Sequence, residues 1–130
     1  MKEEIPLKGE YVEERSGAER LLDLAYGNHP KSAALKPKAL KILRVLREGP
    51  KSVEELGKAL ELDLNTAAGK KKFYVLMKPL RETGMISARK AGGKTFYYLS
   101  YEGFNQYLRE IRKEAEYWLN PVQGEVKNSI

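Results

Sequence analysis

The sequence predicts a mainly helical α+β fold, and three observations carry that prediction. Apolar residues recur at helical spacing in five separate segments. Two short stretches rich in β-formers, "MISARK" and "TFYYLS", flank the turn-forming "AGG". Capping and stop residues punctuate the helical segments where each should begin and end.

The elements follow in order. "SGAERLLDLAYGN" reads as a short helix, with Ser16 and Glu19 as a capping pair and Gly27 as its end. Leu21, Leu22, Leu24 and Ala25 supply its expected buried side. "NHPKSAALKP" is a connector. The next helix starts near Pro37, a residue suited to a first turn. Its stripe is Ala39, Leu40, Ile42, Leu43 and Leu46, and Gly49-Pro50 stops it. "SVEELGKALEL" opens on a capping box, Ser52 to Glu55, with Val53, Leu56 and Leu60 facing inward. Asn65 or Thr66 can cap a third helix that ends near Gly84.

That third helix places charge against an apolar ridge. At about 100° per residue, Gly69, Phe73, Leu76, Met77 and Leu80 share one side. Ala67, Lys71, Tyr74, Val75 and Lys78 share the other, with Lys70 and Lys72 between. Charge and core therefore do not compete. Pro79 predicts a kink, or a break with a new turn. After the two strands, "SYEGFNQYLREIRKEAEYWLNP" reads as a long helix capped by Ser100 and ended before Pro121. Phe104, Leu108, Ile111, Ala115 and Trp118 form its stripe, with Tyr107 and Leu119 alongside. On the second strand, Tyr97 and Leu99 share a face assigned to the core. Phe96 and Tyr98 point the other way, toward the C-terminal helix.

Length and composition bound the function. The 130 residues suit one domain with helical extensions. The absence of cysteine removes disulfides and thiolate chemistry, and the single histidine, His29, makes a zinc site implausible. No nucleophile–histidine pair and no spaced-glycine phosphate loop is present, so an enzyme is not expected, nor a cofactor. Ser52 and Ser100 read better as helix caps. No apolar run reaches membrane-spanning length, and "MKEEIPLKGEYVEER" is too acidic for a signal peptide. A cytoplasmic, nucleoid-associated location is expected. Abundant Lys, Glu and Arg lean toward a thermophilic source.

The net charge is +6, and it is unevenly spread. Residues 1–35 carry a net −2, residues 36–99 a net +9 and residues 100–130 a net −1. From Thr66 to Leu99 there are eight basic residues and one acidic. Charge concentrated in this way points to an anionic partner, double-stranded DNA first. A solvated lysine surface is the plain alternative.

The order helix, helix, helix, strand, glycine turn, strand resembles the winged helix-turn-helix regulators of the ArsR- and MarR-like groups, which are prokaryotic or archaeal. The resemblance covers residues 36–100. "SVEELGKALEL" is similar to the second helix of that motif, with Gly57 where a small residue lets the next helix pack closely. "ETGMI" resembles the stop after the recognition helix, and "YYLS" the strand returning from a two-stranded wing. Two departures stand out. Glu61 occupies the usual glycine position of the turn. The segment from Leu64 to Gly84 is about one helical turn longer than usual, through an extended recognition helix or a longer loop.

The resemblance implies a helical extension at 1–35, a winged domain at 36–100 and a C-terminal helix at 101–130. It implies a DNA-binding transcription regulator. Lys71, Tyr74, Val75 and Lys78 would face the groove, and Lys70, Lys72 and Arg81 the backbone. Arg89, Lys90 and Lys94, around Gly92-Gly93, would reach from the wing. In such regulators the last helix often builds a homodimer, here through Phe104, Leu108, Ile111, Ala115 and Trp118; packing on its own domain is the alternative. The N-terminal helix could join that interface. Two other functions fit the same pattern: a protein-interaction subunit of a transcription or replication assembly, and a chromatin protein without sequence preference. A small-molecule effector is compatible with this class, though no residue marks its site.

Overall fold

A computed structural model describes residues 19–122. The chain runs α1 (residues 19–26), α2 (Pro30–Ala33), α3 (Lys36–Leu46), β1 (Lys51–Ser52), α4 (Val53–Ala59), α5 (Ala67–Glu82), β2 (Ile86–Ala91), β3 (Lys94–Leu99) and α6 (Tyr101–Leu119). Three helices, α3 to α5, pack beside a small antiparallel sheet of order β1-β3-β2. This is the winged helix-turn-helix arrangement: a mainly helical α+β fold whose β2–β3 hairpin is the wing. Ser16, the expected cap of α1, lies outside the described residues.

Local chemistry sets the boundaries. The Ser52 hydroxyl accepts from the Glu55 N–H at 3.1 Å, and the Ser52 N–H donates to the Glu55 carboxylate at 2.8 Å. Two N–H groups at the α4 start are thereby satisfied. That backbone bond is the chief reason the Glu55 carboxyl is held below its ordinary pKa. Thr66, rather than Asn65, caps α5 by accepting from the Gly69 N–H at 3.0 Å. Ser100 caps α6 by accepting from Gly103 at 2.9 Å. In the wing, Ala91 pairs with Lys94 across Gly92 and Gly93, whose φ values of 59° and 77° suit a two-residue hairpin turn.

The core sits between the helices and one face of the sheet. Ile42, Leu56, Phe73, Leu76, Met77, Leu80 and Ile86 are its largest fully buried side chains. All five residues expected on the inner side of α5 are buried. The ring of Phe73 meets Tyr97 edge-on at 6.1 Å between centroids. Gly57 is buried as expected, and a side chain there would collide with Leu64, since a Cβ would lie 2.6 Å from its Cδ1. The close neighbour is therefore the turn before α5.

The turn from α4 to α5 accounts for the missing glycine. The Glu61 N–H donates to the Lys58 carbonyl at 3.0 Å and the Leu62 N–H to the Gly57 carbonyl at 2.9 Å. This pair of bonds is a Schellman closure, which needs a left-handed residue just past the helix. Glu61 takes that conformation, with φ 58°, and is the only described non-glycine residue to do so. A side chain there costs on the order of 1 kcal/mol. Residues 60–66 form the turn, and α5 after it has 16 residues.

Several expectations need correction. Leu21 and Leu24 are exposed, at 37% and 45%; α1 buries Leu22, as expected, and Tyr26, which was not. The Tyr26 hydroxyl donates to the Leu76 carbonyl, fastening α1 to α5, and burial pushes its pKa well up. α5 does not break at Pro79; it continues to Glu82. Leu99 is 36% exposed, and its cross-strand neighbour Ile86 fills the core in its place. Tyr98 is covered by the Arg89 guanidinium, 5.5 Å from its ring centre. The connector contains a single helical turn, α2. The sheet has a third strand, β1, which pairs Lys51 with Tyr97 and Ser52 with Phe96.

One crossing fixes where α6 leaves the domain. Gly84, at φ 75°, lies against Gly103, and a Cβ on Gly103 would come within 2.6 Å of the Gly84 carbonyl oxygen. Backbone meets backbone there, so only glycine fits on either side.

Candidate nucleic-acid interface

At 16 residues, α5 is about 24 Å long and presents a continuous outer face. Lys70, Lys71, Lys72, Tyr74, Val75 and Lys78 are all exposed on it. The burial of Phe73, Leu76, Met77 and Leu80 on the inner side leaves these residues no other orientation. The first turn carries no acidic residue. Three lysines follow directly, near the positive end of the helix macrodipole, where stability alone favours carboxylates. The sequence thus concentrates positive potential where folding gains nothing from it.

The remaining basic residues divide. The Lys78 ammonium lies 3.7 Å from the Glu82 carboxylate, an exposed i,i+4 pair that water screens strongly. Arg81 is exposed at the C-terminal turn, but its guanidinium lies over the Tyr97 ring, 5.6 Å from the centroid. Burial raises the Tyr97 pKa, as does nearby Tyr74, while Arg81 opposes both. In the wing, Arg89 stacks on Tyr98. Lys90 sits opposite Thr95, and Lys94 adjoins the turn. Lys51 and Lys94 both help to hold the Glu55 carboxyl low, after its bonds to Ser52. The structure therefore gathers Lys70, Lys71, Lys72, Tyr74, Val75 and Lys78 on one face. Arg81 and Arg89 are held against aromatic rings, and the three wing cations are on the hairpin.

Sequence reading missed Lys38. It stands on α3 and, with Lys71 and Lys72, lines a groove of about 450 Å³ between α3 and α5. Periodicity assigns Lys38 correctly to the outside of α3. It gives no sign that α5 passes beside it, because that depends on the course of the turn at 60–66.

The C-terminal helix presents a different surface. No residue of α6 is buried. Phe104, Leu108 and Ala115 are half-buried, whereas Ile111 is exposed and Trp118 is 75% exposed. Tyr117 and Trp118 meet edge-on at 5.1 Å near the far end. Around the base of α6, Leu21, Leu43, Met85, Leu99, Tyr101 and Phe104 line a second apolar groove.

Among the described residues there is no cluster of three or more side chains of the metal-ligating types His, Cys, Asp and Glu. No helix among them is long and apolar enough to cross a membrane. No family model matches the chain, and no curated protein matches it. Among solved structures it is similar to the homodimeric winged helix-turn-helix DNA-binding domain of a possible ArsR-family transcriptional regulator from Mycobacterium bovis. The two are 18% identical, with a TM-score of 0.44 over 75% of this chain and 97% of that one. At that distance the likeness adds nothing to what the topology itself establishes.

Proposed function

We propose that this protein is a DNA-binding transcription regulator that docks α5 and the wing onto duplex DNA as a homodimer. The observation that supports this reading best is the outer face of α5. Four lysines, a tyrosine and a valine stand exposed on one helix, whose width suits a major groove. Lys70 and Lys72 supply phosphate contacts, while Lys71, Tyr74, Val75 and Lys78 face the groove. Lys90 and Lys94 extend the contact from the wing. Arg81 and Arg89, already stacked on Tyr97 and Tyr98, reach backbone phosphates in fixed positions.

Pairing through α6 accounts for its apolar stripe. Aromatic residues are enriched where protein surfaces meet, and Tyr117 and Trp118 lie exposed at its far end. Exposed Leu21 and Leu24 on α1 add apolar surface to the same purpose. A two-fold dimer sets its recognition helices about 34 Å apart, one DNA turn.

The test is duplex binding by the double variant Lys71→Glu/Lys78→Glu, with its fold checked by circular dichroism. Wild type is expected to bind a random-sequence duplex with an affinity that falls steeply with salt. About six phosphate contacts give a log–log slope near −5. The folded variant is expected to lose this binding. Undiminished affinity in that variant rejects the proposed interface. Wild-type affinity no better than that of an unrelated protein of equal charge transfers the basic face to an acidic protein partner.

A further inference from the structure

We propose that the apolar groove at the base of α6 is filled by Trp118 of a second copy of this chain, delivered by antiparallel pairing of the two α6 helices in one fixed register. The arrangement rests on the homodimer reading above. Its first support is the spacing of the α6 stripe. Tyr101, Phe104, Leu108, Ile111, Ala115 and Trp118 recur in strictly alternating steps of three and four residues, and Val122 continues the series just past the helix. That repeat makes the narrow seam of a two-stranded coiled coil, not the broader stripe of a helix lying on its own domain. On the opposite face Gln106 is hydrogen-bonded to both Arg109 and Glu110, so that face is already satisfied in water.

Size and charge select the register. An antiparallel pair centred between Leu108 and Ile111 sets Leu108 against the partner's Ile111. Phe104 then meets the partner's Ala115, and Tyr101 meets the partner's Trp118. A large ring opposite the smallest residue of the stripe lets the layers interdigitate. Beside the seam, Arg112 comes level with the partner's Asn105 and Glu114 with the partner's Tyr107. Sliding the pair one heptad toward the tips brings Arg112 beside the partner's Arg112 and Glu114 beside the partner's Glu114, and both contacts repel. A slide of two heptads leaves Phe104 and Leu108 bare.

The same register brings the tip of each helix to the groove. Tyr101 and Phe104 belong both to the seam and to the groove wall, which Leu21, Leu43, Met85 and Leu99 complete. The groove measures about 290 Å³, room for one indole. Trp118 is 75% exposed in its own chain. Arg47 also lines the groove and offers a guanidinium to the face of the incoming ring. A parallel pair would set the two tryptophans together at the far end and leave both grooves open. In the antiparallel pair the two helix starts lie about 25 Å apart along the axis, which fixes how far apart the two winged domains stand.

The chain has no cysteine and one tryptophan, so both halves of the proposal can be read directly. The full chain is made as three single-cysteine variants on the outer face of α6, Glu102→Cys, Arg109→Cys and Glu116→Cys. Each takes a nitroxide label, and the distance between the two labels of a dimer is measured by pulsed electron resonance. The register places paired labels about 22, 2 and 20 Å apart along the axis, so position 109 is expected to give the shortest distance and the other two similar, longer ones. Three equal distances mean a parallel pair, and a shortest distance at 116 means a slid register; either overturns the proposal while keeping the homodimer. A monomer at every concentration in sedimentation retires the homodimer reading itself. Trp118 emission is expected to shift to the blue as the wild type dimerises. Leu21→Lys, on the groove wall and away from α6, is expected to return it to the red at a concentration where that variant is still dimeric. Emission that stays red in the wild-type dimer, or stays blue in the Leu21→Lys dimer, overturns the seating of Trp118 in the groove.

Discussion

Helices α5 and α6 are written in the same language and meet different fates. Each has apolar residues at helical spacing and a threonine or serine cap that accepts an N–H three residues on. In α5 the five inward residues are all buried; in α6 none is. A stripe therefore announces that a helix has a partner without saying where the partner is. For α5 it is the rest of the chain. Beyond the Gly84–Gly103 crossing, the described residues leave no side chain of α6 buried.

Substitutions to alanine should separate the two helices most clearly. Phe73→Ala removes a fully buried ring and is expected to cost about 3–5 kcal/mol in urea unfolding. Ile111→Ala, on the exposed stripe, should cost under about 1 kcal/mol in the dilute monomer. In sedimentation, Ile111→Asp should shift the protein to a monomer without unfolding it. An equal stability loss at both positions, or an unchanged mass for Ile111→Asp, breaks the contrast.

Gly103→Ala attacks the backbone crossing at the base of α6. Its Cβ would lie 2.6 Å from a backbone oxygen that cannot swing aside. The expected loss is about 1–3 kcal/mol, by analogy with overpacking. A neutral result would mean that the crossing is looser than its geometry.

Glu61→Gly acts in the opposite direction. Relief of the left-handed strain before α5 should raise stability by about 1 kcal/mol, read as a higher urea midpoint at constant slope.

The smallest effect concerns Glu55. Its folded pKa is lowered, chiefly by the Ser52 N–H, so its contribution is present above the unfolded value of about 4.3. That contribution is lost as pH falls through the folded value. The stability difference between wild type and Glu55→Gln should be flat at neutral pH and should narrow below about pH 4. A difference that stays constant into acid would mean that the carboxylate charge is not what caps α4.

What could be read from the sequence follows the same division. The inner face of α5, the caps at Ser52 and Ser100, and the glycine turn of the wing are local facts with local signatures. β1 escaped because two residues have no periodicity, and Ser52 already had a role as a cap. α1 was misphased because Leu21, Leu22, Leu24 and Ala25 span about 160° of its circumference and leave its phase open, while the deciding residue, Tyr26, ends in a polar group. Lys38 was legible as exposed but not as a neighbour of Lys71, because that adjacency is made by a turn and not by a repeat.

The glycine crossing at the base of α6 is also a fulcrum. Sixteen of its 19 residues lie beyond Gly103, a rigid arm about 24 Å long. A tilt of about 10° at the base displaces the far end by about 4 Å over that length. No side chain cushions Gly84 against Gly103, so contact between two backbones sets the angle. In the proposed dimer, two such arms pack against each other. The distance between the paired α5 helices, and with it the spacing of the DNA half-sites, is then set where two residues without side chains touch.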